Sequence, residues 1–315
     1  GERTKPVEFP SLKIFQLFLQ ELHVVLEAEL EGRPYNTIGS FLELYKHFRS
    51  QDAPFWEFYN HYDAEILPES LSCVGLACCL IDTIMDSTLG FVYPELKTAL
   101  FLASSEEMVI DIDMYCSISP PSPAFVVKEH VLVALKVFVE GRSGIVILDP
   151  GYHVNIPVVV MSDCMYPHTG WFVSSETPKV KREYLYVIEG DFVHWAVKET
   201  RNNNTKCWKN LIYIKQRFLS HISVSEKRNL VFNFRTLVVR NKKEPIAGLY
   251  CNLEGDEKFT LFYQDSMGKR MEVKIPFKYF YSERANNQYE SAIASCATQV
   301  RYNVRLLSDL ITRII

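Results

Sequence analysis

The apolar residues of this chain change their period near residue 95, and that change restricts the fold more than any other feature. From Ser11 onward, Leu12, Phe15, Leu19, Leu22, Leu26 and Leu30 recur at three- and four-residue steps, which puts one apolar stripe on a helix. Gly32 and Pro34 end it. Ile38, Phe41, Leu42, Tyr45 and Phe48 repeat the pattern, followed by the aromatic segment 55–59. The spacing predicts a further helix over residues 70–85, with Ser70 or Ser72 as its N-cap. Beyond residue 95 the alternation drops to two, and strands are expected at 96–103, 131–139 and 144–148. The last two are joined by the turn residues Glu140, Gly141, Arg142 and Ser143. Strands at 184–188, 211–214, 230–239, 246–252 and 259–264 continue the rhythm. A final helix is expected over 283–315, with Ala285, Tyr289, Ile293, Cys296, Val300, Val304, Leu307 and Ile311 on one face.

Helical and strand patterns that are segregated along the chain imply an α+β fold. Three parts are expected: a helical region 1–95 carrying a nucleophilic cysteine, a central antiparallel β-barrel or sheet over 96–180, and a C-terminal region 181–315 with a mixed sheet and a terminal helix. At 315 residues and 48% hydrophobic, the chain can bury the cores that such parts need. Pro120, Pro121, Ser122 and Pro123 predict a rigid loop, Asn202 to Asn204 an exposed turn, and Lys242 and Lys243 a hairpin tip.

Charge and cysteine content narrow the function classes. The formal net charge of −4, from 34 basic and 38 acidic residues, argues against a nucleic-acid partner. The longest apolar stretches, 144–148 and 158–161, fall short of the roughly eighteen residues of a membrane span, so no membrane role is expected. The first six residues lack a signal-peptide core, and eight cysteines, two of them adjacent at Cys78 and Cys79, suit free thiols. A cytoplasmic location is the expectation.

One constellation carries chemistry. Cysteine attacks as thiolate, a form favoured in the first turn of a helix by unpaired amides and the macrodipole, and Cys73 has that placement. The amide of Cys73 itself or of Val74 is a candidate donor to an oxyanion. Cys78 and Cys79, deeper in the same helix, are expected to be core residues. His130 opens one strand and Asp149 closes the next, so a hairpin brings base and orienter together. Direct opposition requires a hairpin centred between Val139 and Glu140. Gly141 and Ser143 lie later, which predicts a bulge or a diagonal pairing in place of a regular two-residue turn. Each residue alone also fits a structural role, a polar strand start for His130 and a turn for Asp149, Pro150 and Gly151.

The stretch from His130 through Arg142, followed by Ile145 through Tyr152 with its Asp149, Gly151 and Tyr152, resembles the His-strand and Asp-x-Gly-aromatic segments of the arylamine N-acetyltransferases. Pro34 to Ile38 is weakly similar to that family's Pro-Phe-Glu-Asn-Leu segment. The resemblance implies a papain- and transglutaminase-like core in which acetyl-CoA acylates the cysteine and an arylamine accepts the acetyl group. Carried over, Cys73 is nucleophile, His130 base and Asp149 orienter. Two departures stand out: the family's Arg-Gly-Gly-x-Cys approach is Ser70, Leu71, Ser72 and Cys73 here, and the Glu two residues after the cysteine is Gly75.

Tyr35, Val74, Tyr152 and Trp171 are the candidate substrate contacts, Trp171 as a pocket wall or as an aromatic plug at the edge of the β region, and His153 is a second polar candidate. Cys164 and His168 are too few ligands for zinc, so no metal is expected. No tightly bound cofactor is expected either, with acyl-CoA as the candidate co-substrate. A cysteine-dependent acyltransferase acting on a small molecule or peptide is the leading expectation. A hydrolase of the same core and a non-catalytic interaction module are the alternatives, and the oligomeric state stays open.

Overall fold

The computed structural model describes residues 4–117, 128–177, 179–218, 222–254, 257–280 and 287–314. In chain order the first elements are β1 (Val7–Phe9), α1 (Leu12–Gly32), β2 (Tyr35–Asn36), α2 (Ile38–Arg49), α3 (Phe55–His61), α4 (Cys73–Asp86), α5 (Thr88–Val92) and α6 (Leu96–Ala99). Then follow β3 (Leu100–Glu107), α7 (Ile112–Ser117), β4 (Lys128–Val139), β5 (Arg142–Leu148), β6 (Val158–Met161) and β7 (Phe172–Glu176). The rest are β8 (Val180–Glu189), β9 (Phe192–Arg201), β10 (Asn204–Tyr213), α8 (Ile222–Val231), β11 (Phe234–Arg240), β12 (Pro245–Asn252), β13 (Lys258–Gln264), β14 (Arg270–Pro276), α9 (Glu290–Gln299) and α10 (Val304–Ile314). The class is α+β, as the segregated periods require.

Contacts group the chain into two compact units, Gly1–Glu29 with Leu76–Ser225, and Leu30–Gly75 with Glu226–Ile315. Boundaries at 95 and 180 therefore give way to units that are each built from two separated stretches. The physical reason is that β8, β9 and β10 complete the central sheet.

That sheet, in the first unit, runs β6-β5-β4-β3-β10-β9-β8-β7, antiparallel along the path, with β1 parallel beside β4. It curls into a half-barrel, bringing β6 toward β8. Val131, Leu132, Val133, Ala134 and Leu135 are all fully buried, so β4 is covered on both faces and shows an unbroken apolar run. The interior face carries Phe101, Leu132, Ile145, Tyr186 and Trp195.

In the second unit β14-β13-β12-β11-β2 form an antiparallel sheet, which corrects the expected mixed one. Ile38 and Leu42 of α2, Ile293 and Cys296 of α9, and Leu307 of α10 pack in one core with Leu249, Phe259 and Leu261 of the sheet. The closest approach is at Gly248, where a Cβ would stand 2.3 Å from the Leu237 carbonyl oxygen.

Several elements differ from the sequence expectation. Residues 96–99 form a helical turn, with Ala99 N bonded to Glu95 O at 3.0 Å, and the strand starts only at Leu100. Residues 222–231 are helix, because Ser223, Ser225, Glu226, Lys227, Arg228 and Asn229 offer no alternating apolar face to a sheet. The β4–β5 hairpin has a regular two-residue turn, Glu140 and Gly141, with φ of 52° and 78° and Val139 opposite Arg142. The terminal helix breaks at Arg301, φ 63°, where Tyr302 N caps Ala297 O at 2.9 Å. Val304 is consequently 40% exposed, off the buried face.

Asn202 and Asn203 form the β9–β10 turn, and Lys242 and Lys243 are exposed at the β11–β12 tip. The loop at 120–123 and Ala285 lie outside the described residues. Among the described residues no helix is long and apolar enough to cross a membrane.

Candidate functional site

In the first unit the hairpin register decides how His130 and Asp149 meet. Val133 lies opposite Leu148, which puts Asp149 across from Leu132 and diagonal to His130 on the same face. His130 Nε2 is 2.9 Å from both Oδ1 and Oδ2 of Asp149, with the two residues 1% and 0% exposed. The diagonal pairing expected from the turn position is present, while the expected irregular turn is not. Asp149 Oδ1 also accepts from Tyr152 N at 2.9 Å, so the loop after β5 fixes the carboxylate.

Tyr152 stands edge-on to His130, ring centroids 4.7 Å apart, and edge-on to Trp195 at 5.4 Å. Its hydroxyl donates to Glu107 Oε2 at 2.7 Å. Burial, and then the Glu107 charge, push that phenol well above its ordinary range, so it stays a neutral donor. Ser105, the register partner of His130 on β3, is fully buried, and its Oγ has no hydrogen-bond partner among the described residues.

In the second unit the segment before α4 is tied down by hydrogen bonds. Ser70 Oγ donates to Asn36 O at 3.1 Å and accepts from Ser40 N at 2.9 Å, and Asn36 N donates to Leu71 O at 2.9 Å. A Cβ at Gly39 would come within 2.8 Å of the Ser70 side chain, so glycine permits this approach. Cys73 is then the first residue of α4, 2% exposed, and its sulfur accepts from Asn229 Nδ2 at 3.3 Å. Ser72 Oγ donates to Glu226 Oε2 and accepts from Val74 N, the latter at 3.1 Å. Burial pushes the Glu226 carboxyl up to about 7.

Two expectations need correction here. Val74 is fully buried and its amide is already engaged by Ser72 Oγ, so it is neither a substrate contact nor an open oxyanion donor. Cys78 and Cys79, expected in the core, are half-buried, while Cys73 is buried.

The other candidates scatter. Tyr35 is half-buried in β2, with Val238 of β11 as its register partner. Trp171 is 52% exposed and plugs nothing. His168 Nδ1 accepts from Met161 N at 3.2 Å, a role at the β6 edge, while Cys164 is exposed. His153 is buried in the turn after Asp149. Among the described residues no three His, Cys, Asp or Glu converge as metal ligands. Two surface clefts in the second unit, one beside Arg49 and Arg313 and one beside Tyr279 and Glu290, are lined by neither Cys73 nor Tyr35.

Sequence reasoning missed Asn229, Glu226 and Glu107. The only local signal was the polar run 225–229, which has no strand period and places Glu226 and Asn229 three residues apart, on one side of a helix. No family model, curated protein or solved structure matches the chain.

Proposed function

We propose that the chain is a cysteine-dependent acyltransferase, with Cys73 as nucleophile, His130 as proton carrier and Asp149 as its orienter. The observation that supports it most is the His130–Asp149 pair, buried and held through Nε2 by both carboxylate oxygens at 2.9 Å. An imidazole gripped in this way exchanges protons through Nδ1, and the carboxylate favours the imidazolium that forms when a thiol proton is taken. The place of Cys73 as the first residue of α4 adds the partial positive charge of a helix N-terminus beside the sulfur.

The reaction balances as two transfers. The Cys73 thiolate adds to the carbonyl of an acyl thioester such as acyl-CoA, the bond to the leaving sulfur breaks, and His130 returns a proton to that thiol. An amine then adds to the Cys73 thioester, gives its proton to His130, and the carbon–sulfur bond breaks to restore the thiolate. Water in place of the amine makes the same machinery a hydrolase.

Incubation with a panel of acyl-CoA donors, followed by intact mass analysis, is expected to show an acyl adduct on Cys73 and release of CoA. Cys73→Ser abolishes the adduct, and His130→Ala or Asp149→Asn slows it by roughly 10²–10⁴-fold. The exposures of only 2% for Cys73 and 1% for His130 favour a second reading, a non-catalytic interaction module. Absence of adduct and CoA release, with a thiol probe labelling Cys73 no faster than Cys78 and Cys79, would decide for the module.

A further inference from the structure

We infer that Asn229 tunes the reactivity of Cys73 by donating its amide hydrogen to the sulfur, with Glu226 as the positioning residue that fixes the neighbouring backbone through Ser72. Helix α8 presents the two side chains three residues apart, and they engage two consecutive residues, Glu226 with Ser72 and Asn229 with Cys73. All four residues are nearly fully buried: Ser72 2%, Cys73 2%, Glu226 2% and Asn229 8% exposed. In so enclosed a place a donor aimed at sulfur favours the charged form over the neutral thiol, since thiolate accepts more strongly and water is not there to compete. Ser72 Oγ, held by Glu226, in turn accepts from Val74 N, so the first turn of α4 and the sulfur on it are fixed from the same helix.

This assignment rests on the proposed function only in taking Cys73 as the reacting thiol. It extends that reading by supplying a thiolate-stabilising group that neither the hairpin nor the helix start provides.

The test is the pH profile of Cys73 alkylation by iodoacetamide, mapped by peptide mass spectrometry with Cys78 and Cys79 as internal references. It is run on the full chain and on Asn229→Leu and the isosteric Asn229→Asp, each checked for fold by circular dichroism. Loss of the donor is expected to slow Cys73 alkylation about tenfold at pH 7 and to move the midpoint of its profile up by about one pH unit. The carboxylate of Asn229→Asp is expected to move it further. Glu226→Gln keeps an acceptor for Ser72 and removes a carboxylate that ionises near pH 7, so its midpoint does not rise above that of wild type, whereas Glu226→Ala, which releases Ser72, raises it; a rise in both variants or in neither removes Glu226 from the assignment. A Cys73 profile unmoved in Asn229→Asp, with the fold intact, overturns the assignment. If the profile moves and no acyl adduct ever forms, the acyltransferase reading fails and the role of Asn229 stands. If the adduct forms and the profile stays put, Asn229 alone is refuted.

Discussion

Glu226 is the residue whose protonation bears most directly on stability. Its carboxyl, 2% exposed, is held up at about 7 by burial, against an ordinary value of 4.5. Below pH 4.5 both the folded and unfolded chains carry the proton. Between 4.5 and 7 the unfolded chain releases it first, so the folded state binds more protons and stability falls as pH rises; above 7 the loss is complete. The interval corresponds to a penalty on the order of 3 kcal/mol at pH 8. Glu226→Gln keeps an oxygen for Ser72 and never ionises, so its urea midpoint is expected to exceed that of wild type at pH 8 and to match it at pH 4.5. Identical differences at both pH values would refute this. At this scale the legible residues were those with a local reason to stand out: a cysteine at a helix start, a histidine and an aspartate at strand ends. Asn229 and Glu226 were not legible as partners, because they meet Cys73 and Ser72 across 156 and 154 positions of chain. No spacing rule reaches that far.

Among elements, β12 is the one with least room. Gly248 faces the Leu237 carbonyl and the Phe262 ring, and its own carbonyl accepts from Cys296 Sγ at 3.4 Å where α9 packs down. Gly248→Ala must push backbone against backbone, and a loss of about 1–3 kcal/mol is expected, seen as a lower urea midpoint with an unchanged slope. A midpoint within error of wild type would show that the sheet yields at this position. The elements that could be read from sequence were those with one strongly buried face or two, as in α1, α2 and β4. β9 is not among the expected strands, although Val193, Trp195 and Val197 alternate along it and are buried. β14 had no alternation to give: Arg270, Met271 and Glu272 are exposed at the sheet edge, and Ile275 is its single buried residue. In α8 the polar run hid the helix, and in the terminal segment a continuous apolar stripe ran across a break that only the left-handed backbone at Arg301 creates.

For the whole molecule, the decisive fact is that each unit is assembled from two stretches far apart in sequence. A fragment covering 96–180 alone lacks β8, β9 and β10, the strands that stand between β3 and β7, and with them Tyr186, Trp195 and Ile212 of the half-barrel core. Such a fragment is expected to give a collapsed, poorly dispersed NMR spectrum, and a well-dispersed one would restore the division at 95 and 180. The fold class itself followed from sequence because period is local, whereas the grouping of stretches is a matter of strand order, which composition does not encode. That grouping also has a cost while the polypeptide is being made. Thr37 bonds to Thr236, 199 residues later, where β2 meets β11. At roughly 5–20 residues per second, a ribosome needs about 10–40 s to make the intervening chain. Throughout that time the apolar side of α2, with Ile38 and Leu42, has no sheet to cover it, which makes the nascent protein a natural client for chaperones that shield emerging hydrophobic segments.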